Sequence, residues 1–320
     1  MNEGLNQAGL AAKVGVSIRS IKRLENGEGG PDTVRRVKEY FGLTTREVME
    51  GVIAERIVDE VNGWRVVGEA SPWQSSANGL RWQICKVRSQ NAPEHFGRAK
   101  IYDISSHWQS GSDFDTFISR HARACSKIGV HPNVAMHLTS FPDPRDRSRR
   151  WFIDRWIEGD SLEQVVQSTK LELAPALKLM TDIASGLASL HAAKVICRDL
   201  KPRSVIVNQG RGVLTDFELA KLEGIQGTVR PSLWPTNVYI APEVTNREPP
   251  RACDIYSWGM ILAFIAGRRE PKGRTDALQT LQASRLPASI ISLSVRSLEP
   301  ISENRPGLEE ILSTLGKVAR

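Results

Sequence analysis

Strand-like runs come early in this chain and long helical segments come late, and that order restricts the folds open to it. Residues 64–69, 80–87 and 99–104 have β-type composition. After Gly159, helical spacing of apolar residues runs over 174–193, 254–266 and 308–318. Strands segregated from helices predict an α+β arrangement of two lobes rather than an alternating parallel sheet. The chain has 320 residues, 40% of them hydrophobic and 25% charged, which suits about two globular domains and excludes a disordered or fibrous chain.

Ahead of residue 64 the pattern is different. Leu10, Ala11 and Val14 share a helix face, with Asn6 as its N-cap, and Gly15-Val16 breaks the helix. Ser17 caps a second helix with Ile18, Ile21 and Leu24 inward, closed by Asn26-Gly27. Pro31-Asp32 opens a third through Val34, Val37 and Phe41, ended by Gly42, and Thr44 or Thr45 caps another. Helical spacing continues over 43–63 to a boundary at Asn62-Gly63. The domains expected are therefore a small all-α unit over 1–50, a linker helix over 51–63, and a larger domain over 64–320.

Several classes drop out. Cys85, Cys125, Cys197 and Cys253 are far apart and form neither a disulfide framework nor a zinc site. The longest apolar run, 259–267, is far short of the ~20 residues of a membrane span. No charged start followed by an apolar stretch marks a signal peptide, so the expectation is a cytoplasmic chain without membrane partners. Of the net charge of +7, residues 1–63 carry −1 and the remainder +8, a weak pointer to nucleic acid.

The run L-N-Q-A-G-L-A-A-K-V-G-V-S-I-R-S-I-K-R-L-E-N-G resembles the phage-repressor (Cro/repressor-like) helix-turn-helix family: Gln7, Leu10-Ala11, Gly15-Val16-Ser17, Ile21, Glu25 and Gly27 stand at its spacing. The resemblance implies DNA as partner and a homodimer as the usual state. Ser17, Arg19, Ser20 and Lys22 would face the major groove, with Gln7, Lys13 and Arg23 on phosphates. Two departures stand out. Gly9 lies inside a helix, at about 1 kcal/mol against alanine, and only six residues precede Gln7, where the family has its first helix.

V-I-C-R-D-L-K-P-R-S-V-I-V (195–207), V-L-T-D-F-E-L-A (213–220), Y-I-A-P-E (239–243) and D-I-Y-S-W-G (254–259) follow in order. With H-P-N-V (131–134), W-F-I-D-R-W-I-E-G-D-S-L (151–162) and Asn304-Arg305-Pro306, they resemble the protein kinase family over about 64–320. The fold implied is bilobal, with a small lobe over 64–156 and a large lobe over 157–320. ATP is the implied phosphoryl donor and Mg2+ the implied metal. By that resemblance Asp199 is the carboxylate beside the attacking hydroxyl, and Lys201 neutralises the moving phosphoryl group. Asp216 holds magnesium, Ser204 stands weakly for the asparagine of a second magnesium site, and Glu243, Asp254 and Arg305 are structural, with Arg305 expected to pair with Glu243.

Two lysines compete for the phosphates. Choosing Lys86 leaves no second strand, whereas Lys100 makes 64–69, 80–87 and 99–104 the first three strands in order, so Lys100 is the nucleotide-binding candidate. Its usual glutamate partner falls at His121, read as a partly exposed helix residue. Other departures are Cys197 for the histidine of H-R-D, Glu218 for the glycine of D-F-G, and V-G-E-A-S-P-W-Q-S-S-A-N-G-L, which keeps Gly68 and Gly79 but not G-x-G-x-x-G. The arginine-rich 141–150 is expected to be a solvated hairpin loop. Thr228, Ser232 and Thr236 are candidate phosphate acceptors of the activation segment, none marked out, and Thr236 matches a threonine before A-P-E that in the family is more often structural than regulatory. Three readings stay open: a divergent Ser/Thr kinase acting on a protein or on itself and controlling DNA binding, a pseudokinase sensing nucleotide or a partner, and a helix-turn-helix used only for protein docking.

Overall fold

The computed structural model describes residues 7–25, 30–42, 60–75, 81–104, 113–146, 148–217, 219–223, 237–245 and 250–318. Asn6, Asn26-Gly27, Thr44, Thr45, Gly79, Glu218, Thr228, Ser232 and Thr236 lie outside them. Two compact units emerge, one drawn from 1–74, 81–105 and 141–156, the other from 75–80, 106–140 and 157–320.

Three helices open the chain: α1 (Gln7–Val14), α2 (Ile18–Glu25) and α3 (Pro31–Phe41). Leu10, Ala11, Val14, Ile21, Leu24, Val34 and Val37 close one small core, with Val16 and Phe41 packed against it. Gly15 reverses the chain after α1 at φ 68, a left-handed conformation that glycine adopts without a Cβ penalty. Ser17 caps α2 by accepting from the Ser20 amide at 3.0 Å. Pro31 fills the first turn of α3, where its missing N–H costs nothing, and Gly42 at φ 65 closes it onto the Lys38 carbonyl.

The linker helix expected over 51–63 does not extend to its end, where the chain is extended. Residues 51–59 fall outside the described set, but β1 (Glu60–Val61) is a strand, paired antiparallel with β2 (Trp64–Val67). The cause is local. Asn62 and Gly63 both take positive φ, 47 and 76, which makes the two-residue turn whose twist matches a hairpin. Helical spacing of apolar residues could not reveal this.

After β3 (Gln74–Ser75), the long hairpin of β4 (Arg81–Ser89) and β5 (Phe96–Asp103) runs in register from Arg81↔Asp103 to Arg88↔Phe96. Then come α4 (Asp113–Ile128), β6 (His137–Pro142) and β7 (Arg149–Arg155). The sheet order is β1-β2-β4-β5-β7-β6, with β3 on β4. Val87, Ala99, Trp151 and Ile153 are buried in it. The arginine-rich 141–150 is a hairpin connection, held by buried Asp143, which accepts from the Arg145 amide at 2.9 Å and Trp151 Nε1 at 3.0 Å.

The remaining elements are β8 (Asp160–Ser161), α5 (Leu162–Ser168), α6 (Leu173–Ala192), β9 (Val195–Ile196), β10 (Val205–Asn208), β11 (Arg211–Leu214), β12 (Lys221–Leu222), α7 (Ala252–Gly267), α8 (Arg274–Gln282), α9 (Ala288–Ser297) and α10 (Leu308–Val318). Helix α5 starts on a capping box in which Ser161 and Gln164 satisfy each other's amides. Leu177, Met180, Ile183, Leu187 and Leu190 recur at helical spacing on α6, and each such buried side chain stabilises the unit by roughly 1.5–3 kcal/mol. Helix α7 is buried on nearly every side from Cys253 to Ile265, and its Trp258 Nε1 donates to the Met180 carbonyl at 3.0 Å. Among the described residues no helix is long and apolar enough to cross a membrane.

Candidate active site

The 195–207 motif runs from β9 through a loop into β10, and one buried carboxylate holds that loop. Asp254, near the start of α7, accepts from the Cys197 amide at 2.9 Å and the Arg198 amide at 2.8 Å, and lies 2.8 Å from His191 Nε2. It is fully buried, so these bonds replace its hydration. Arg198 takes φ 72 within that grip, a strained conformation for a non-glycine residue. Burial pushes its guanidinium down to about 10, still charged at neutral pH, and the nearby Arg120 adds to the shift.

That loop presents Asp199. Lys201 Nζ lies 2.5 Å from its Oδ2, and Asn237 Nδ2 donates to its Oδ1 at 3.2 Å. Both carboxylate oxygens therefore have fixed partners, and the side chain keeps only 11% of its exposure. Asn237 is itself oriented by accepting from the Tyr239 amide at 3.0 Å. Sequence reasoning missed Asn237: it sits outside the quoted motifs, and the turn before A-P-E that brings it to Asp199 has no periodicity to read.

Ser204 is buried, and its hydroxyl accepts from the Lys201 amide at 3.0 Å and donates to the Lys201 carbonyl at 2.9 Å. The single hydroxyl proton is thus committed to the loop's own backbone, with one lone pair left. The Ser204 carbonyl accepts from the Thr215 amide at 2.8 Å, which fixes the residue before Asp216. Asp216 takes φ 64 and stays half-exposed, a strained carboxylate of the kind found at functional turns. Its hard oxygen donors suit a magnesium ion. Pairing of β12 with β9, Lys221↔Ile196 and Leu222↔Val195, ties the chain after Asp216 back to the start of the Asp199 loop.

His121 requires a second correction. It is not partly exposed but buried on α4, with Nδ1 accepting from the Phe217 amide at 3.1 Å and its ring stacked on the Phe217 ring at 5.8 Å. Period and spacing place a residue on a helix but do not say what packs on it.

In the sheet unit, Lys100 stands on β5 opposite Ile84 and Phe152, with Nζ 5.7 Å from the Trp82 ring centre and 5.4 Å from that of Tyr102. Lys86 lies on β4, over Trp156 at 4.4 Å. The segment after Gly68 is pinned along β4: Ser71 donates its amide to the Ile84 carbonyl at 2.7 Å, and Ser71 Oγ accepts from the Ile84 amide at 3.0 Å. The Arg81 and Arg149 guanidinium groups both lie over the Trp73 ring, at 5.3 and 5.7 Å from its centre. Elsewhere, Arg305 forks onto Glu243, with Nη2 2.9 Å from Oε2. In the N-terminal helices Arg19, Lys22 and Arg23 are exposed on α2, Ser17 and Ser20 bond each other at 2.9 Å, and Gln7 is half-buried at the start of α1 beside exposed Lys13.

The described site is thus a gripped loop carboxylate with an adjacent lysine, followed in the chain by a metal-suited aspartate at positive φ. Residues 104–315 match the family model described as "Protein kinase domain", and the chain belongs to that family. The match begins after Lys100. Among curated relatives, a probable serine/threonine-protein kinase, kinY of Dictyostelium discoideum, is 24% identical over 246 residues, 67% of this chain and 42% of that protein. The serine/threonine-protein kinase PkaA of Streptomyces coelicolor is 31% identical over 179 residues, 51% of this chain and 33% of that protein. Mouse serine/threonine-protein kinase Sgk2 is 33% identical over 153 residues, 47% of this chain and 41% of that protein. The chain spans less than half the length of these relatives.

Proposed function

We propose that this chain is a Ser/Thr protein kinase that transfers the γ-phosphate of ATP to a hydroxyl, on a protein substrate or on itself, and that its N-terminal helices bind DNA. The observation that carries the first half is the bracketing of Asp199 between Lys201 and Asn237, which fixes both carboxylate oxygens before any substrate arrives. Phosphoryl transfer depends on positioning and electrostatics, and a preset carboxylate supplies both. Asp199 would take the proton of the acceptor hydroxyl. Lys201 would offset charge on the transferring group, and Lys100 would meet the nucleotide phosphates. Asp216 would hold Mg2+, with Ser204 the weaker second candidate, and the ion would neutralise phosphate charge there.

The test is transfer from labelled ATP, with magnesium or manganese, to the chain and to a basic protein substrate. Wild type runs beside Asp199→Ala and Asp216→Ala. Label lost by at least ~100-fold in both variants supports the reading. Label indifferent to Asp199→Ala refutes the assignment.

A second reading, a pseudokinase that senses nucleotide or a partner, is favoured by two observations. Residue 121 carries no carboxylate, and the Ser204 hydroxyl is engaged by Lys201. Nucleotide binding without transfer by folded wild type selects it.

For the N-terminal helices, support comes from the exposed cations Arg19, Lys22 and Arg23 on α2, with Ser17 and Ser20 at its start and Gln7 on α1. A gel shift with Arg19→Ala and Lys22→Ala should lose affinity and flatten its salt dependence. Unchanged affinity, or no shift by wild type, points instead to protein docking. A homodimer on DNA would show as a two-copy complex in the same gel.

A further inference from the structure

Residue 121 carries more than a lost ion pair. We infer that His121 is a positioning residue that fixes the Asp216-Phe217 backbone through an acceptor nitrogen, so that helix α4 holds the metal-binding turn by a neutral hydrogen bond.

The Phe217 amide donates to His121 Nδ1 at 3.1 Å. For Nδ1 to accept, it must carry no proton, so the neutral ring has its hydrogen on Nε2. Nε2 lies 3.8 Å from Cys125 Sγ, one helical turn on along α4, and sulfur is a weak acceptor. The ring is 2% exposed. One face lies at 18° and 5.8 Å to the Phe217 ring, and His137 meets the imidazole edge-on at 5.3 Å. Phe217 is fully buried. Its amide has therefore lost water, and a buried N–H without an acceptor is costly. The bond falls one residue after Asp216, whose φ of 64 must be held against its own preference. Ser204 and Thr215 fix the chain before Asp216, and His121 fixes it after. Neutral imidazole gives the buried Phe217 amide an acceptor that itself carries no charge.

The stack and the hydrogen bond separate by substitution. His121→Phe keeps a ring on Phe217 and deletes the acceptor, while His121→Gln keeps an acceptor and deletes the ring. Amide hydrogen exchange of the full chain, read at Phe217, should quicken on the order of tenfold in His121→Phe and return most of the way in His121→Gln. Should His121→Phe fail to fold, His121→Leu makes the same comparison with His121→Gln. Equal exchange in wild type and the acceptor-free variant, or no recovery in His121→Gln, overturns the inference.

A magnesium arm rests on the proposed function. In the acceptor-free variant the Mg2+ concentration for half-maximal transfer should rise several-fold, with kcat recovered at saturating metal. An unchanged metal requirement would also count against the inference. If wild type transfers no phosphate, the proposed function fails and the exchange arm still decides the role of His121.

Discussion

Arg305 and Glu243, 62 residues apart, meet in a two-pronged ion pair beneath the surface. The arginine side chain has no exposure and the glutamate 15%. Arg305 also donates to the Ala252 carbonyl at 2.9 Å and the Glu299 carbonyl at 2.8 Å, and it lies 5.2 Å from the Tyr256 ring centre. One guanidinium thus joins the A-P-E turn, the start of α7 and the segment before α10. Arg305→Ala leaves a carboxylate buried without its partner, and the expected loss is about 3–5 kcal/mol. Arg305→Lys should recover little, because an ammonium cannot fork onto two oxygens. Urea unfolding midpoints of the two variants check both statements.

Asp254→Asn should loosen the Asp199 loop without changing its volume. The carboxylate accepts on both oxygens from the Cys197 and Arg198 amides, while an amide side chain offers one acceptor oxygen. One backbone N–H loses its partner at about 1–3 kcal/mol. Faster exchange at 197–198 together with reduced transfer is the expected pair of results.

Asn237→Ala tests positioning at Asp199. Without the Nδ2 bond at 3.2 Å the carboxylate keeps only Lys201 among these partners. A fall in kcat of roughly tenfold is expected with little change in KM for ATP, since orientation in the transition state is lost rather than nucleotide binding.

Two glycines should behave in opposite ways. A Cβ on Gly159, at φ 130, would sit 2.0 Å from the Val207 carbonyl oxygen. Backbone cannot yield there, so Gly159→Ala should give an unfolded or insoluble chain. Gly210, at φ 77, faces open space, and Gly210→Ala should cost only the ~1–2 kcal/mol of a left-handed alanine. Thermal midpoints of the two variants decide this.

The cysteines should be inert while the chain is folded. All four are buried, burial raises the Cys85 thiol to about 12, and burial first, then Asp254, holds Cys197 and Cys253 well above the usual range. Alkylation at pH 8 should need denaturant. The sign for stability follows. Unfolded thiols ionise near ~8.5, whereas Cys85, Cys197 and Cys253 are held higher in the folded chain, so their contribution is full below that pH and declines as pH rises, for Cys85 toward about 12. A denaturation series from pH 7 to 10.5 should show the decline beginning near pH 8–9.

The fold was legible in the sequence wherever a local rule governed it. The β-type runs at 64–69, 80–87 and 99–104 coincide with β2, β4 and the end of β5. Ser17, Pro31 and Gly42 mark helix ends because capping and φ are properties of single residues. Residues 60–63 misled because apolar spacing dominated the reading, while Asn62 and Gly63 held the turn.

By itself, then, the sequence determined the family, the segregation of strands before long helices, and the motifs that carry Asp199, Lys201 and Asp216. Each of these depends on residue type at short spacing. Tertiary structure alone decided that Asn237 faces Asp199, that the Ser204 hydroxyl is engaged by Lys201, and that His121 is buried on Phe217. The His121 and Asn237 contacts join residues 96 and 38 positions apart. Ser204 and Lys201 are near neighbours, but a tight turn sets the direction of that hydroxyl. Such partnerships follow from how buried elements pack and from the rule that a buried donor must find an acceptor, and no local pattern encodes either.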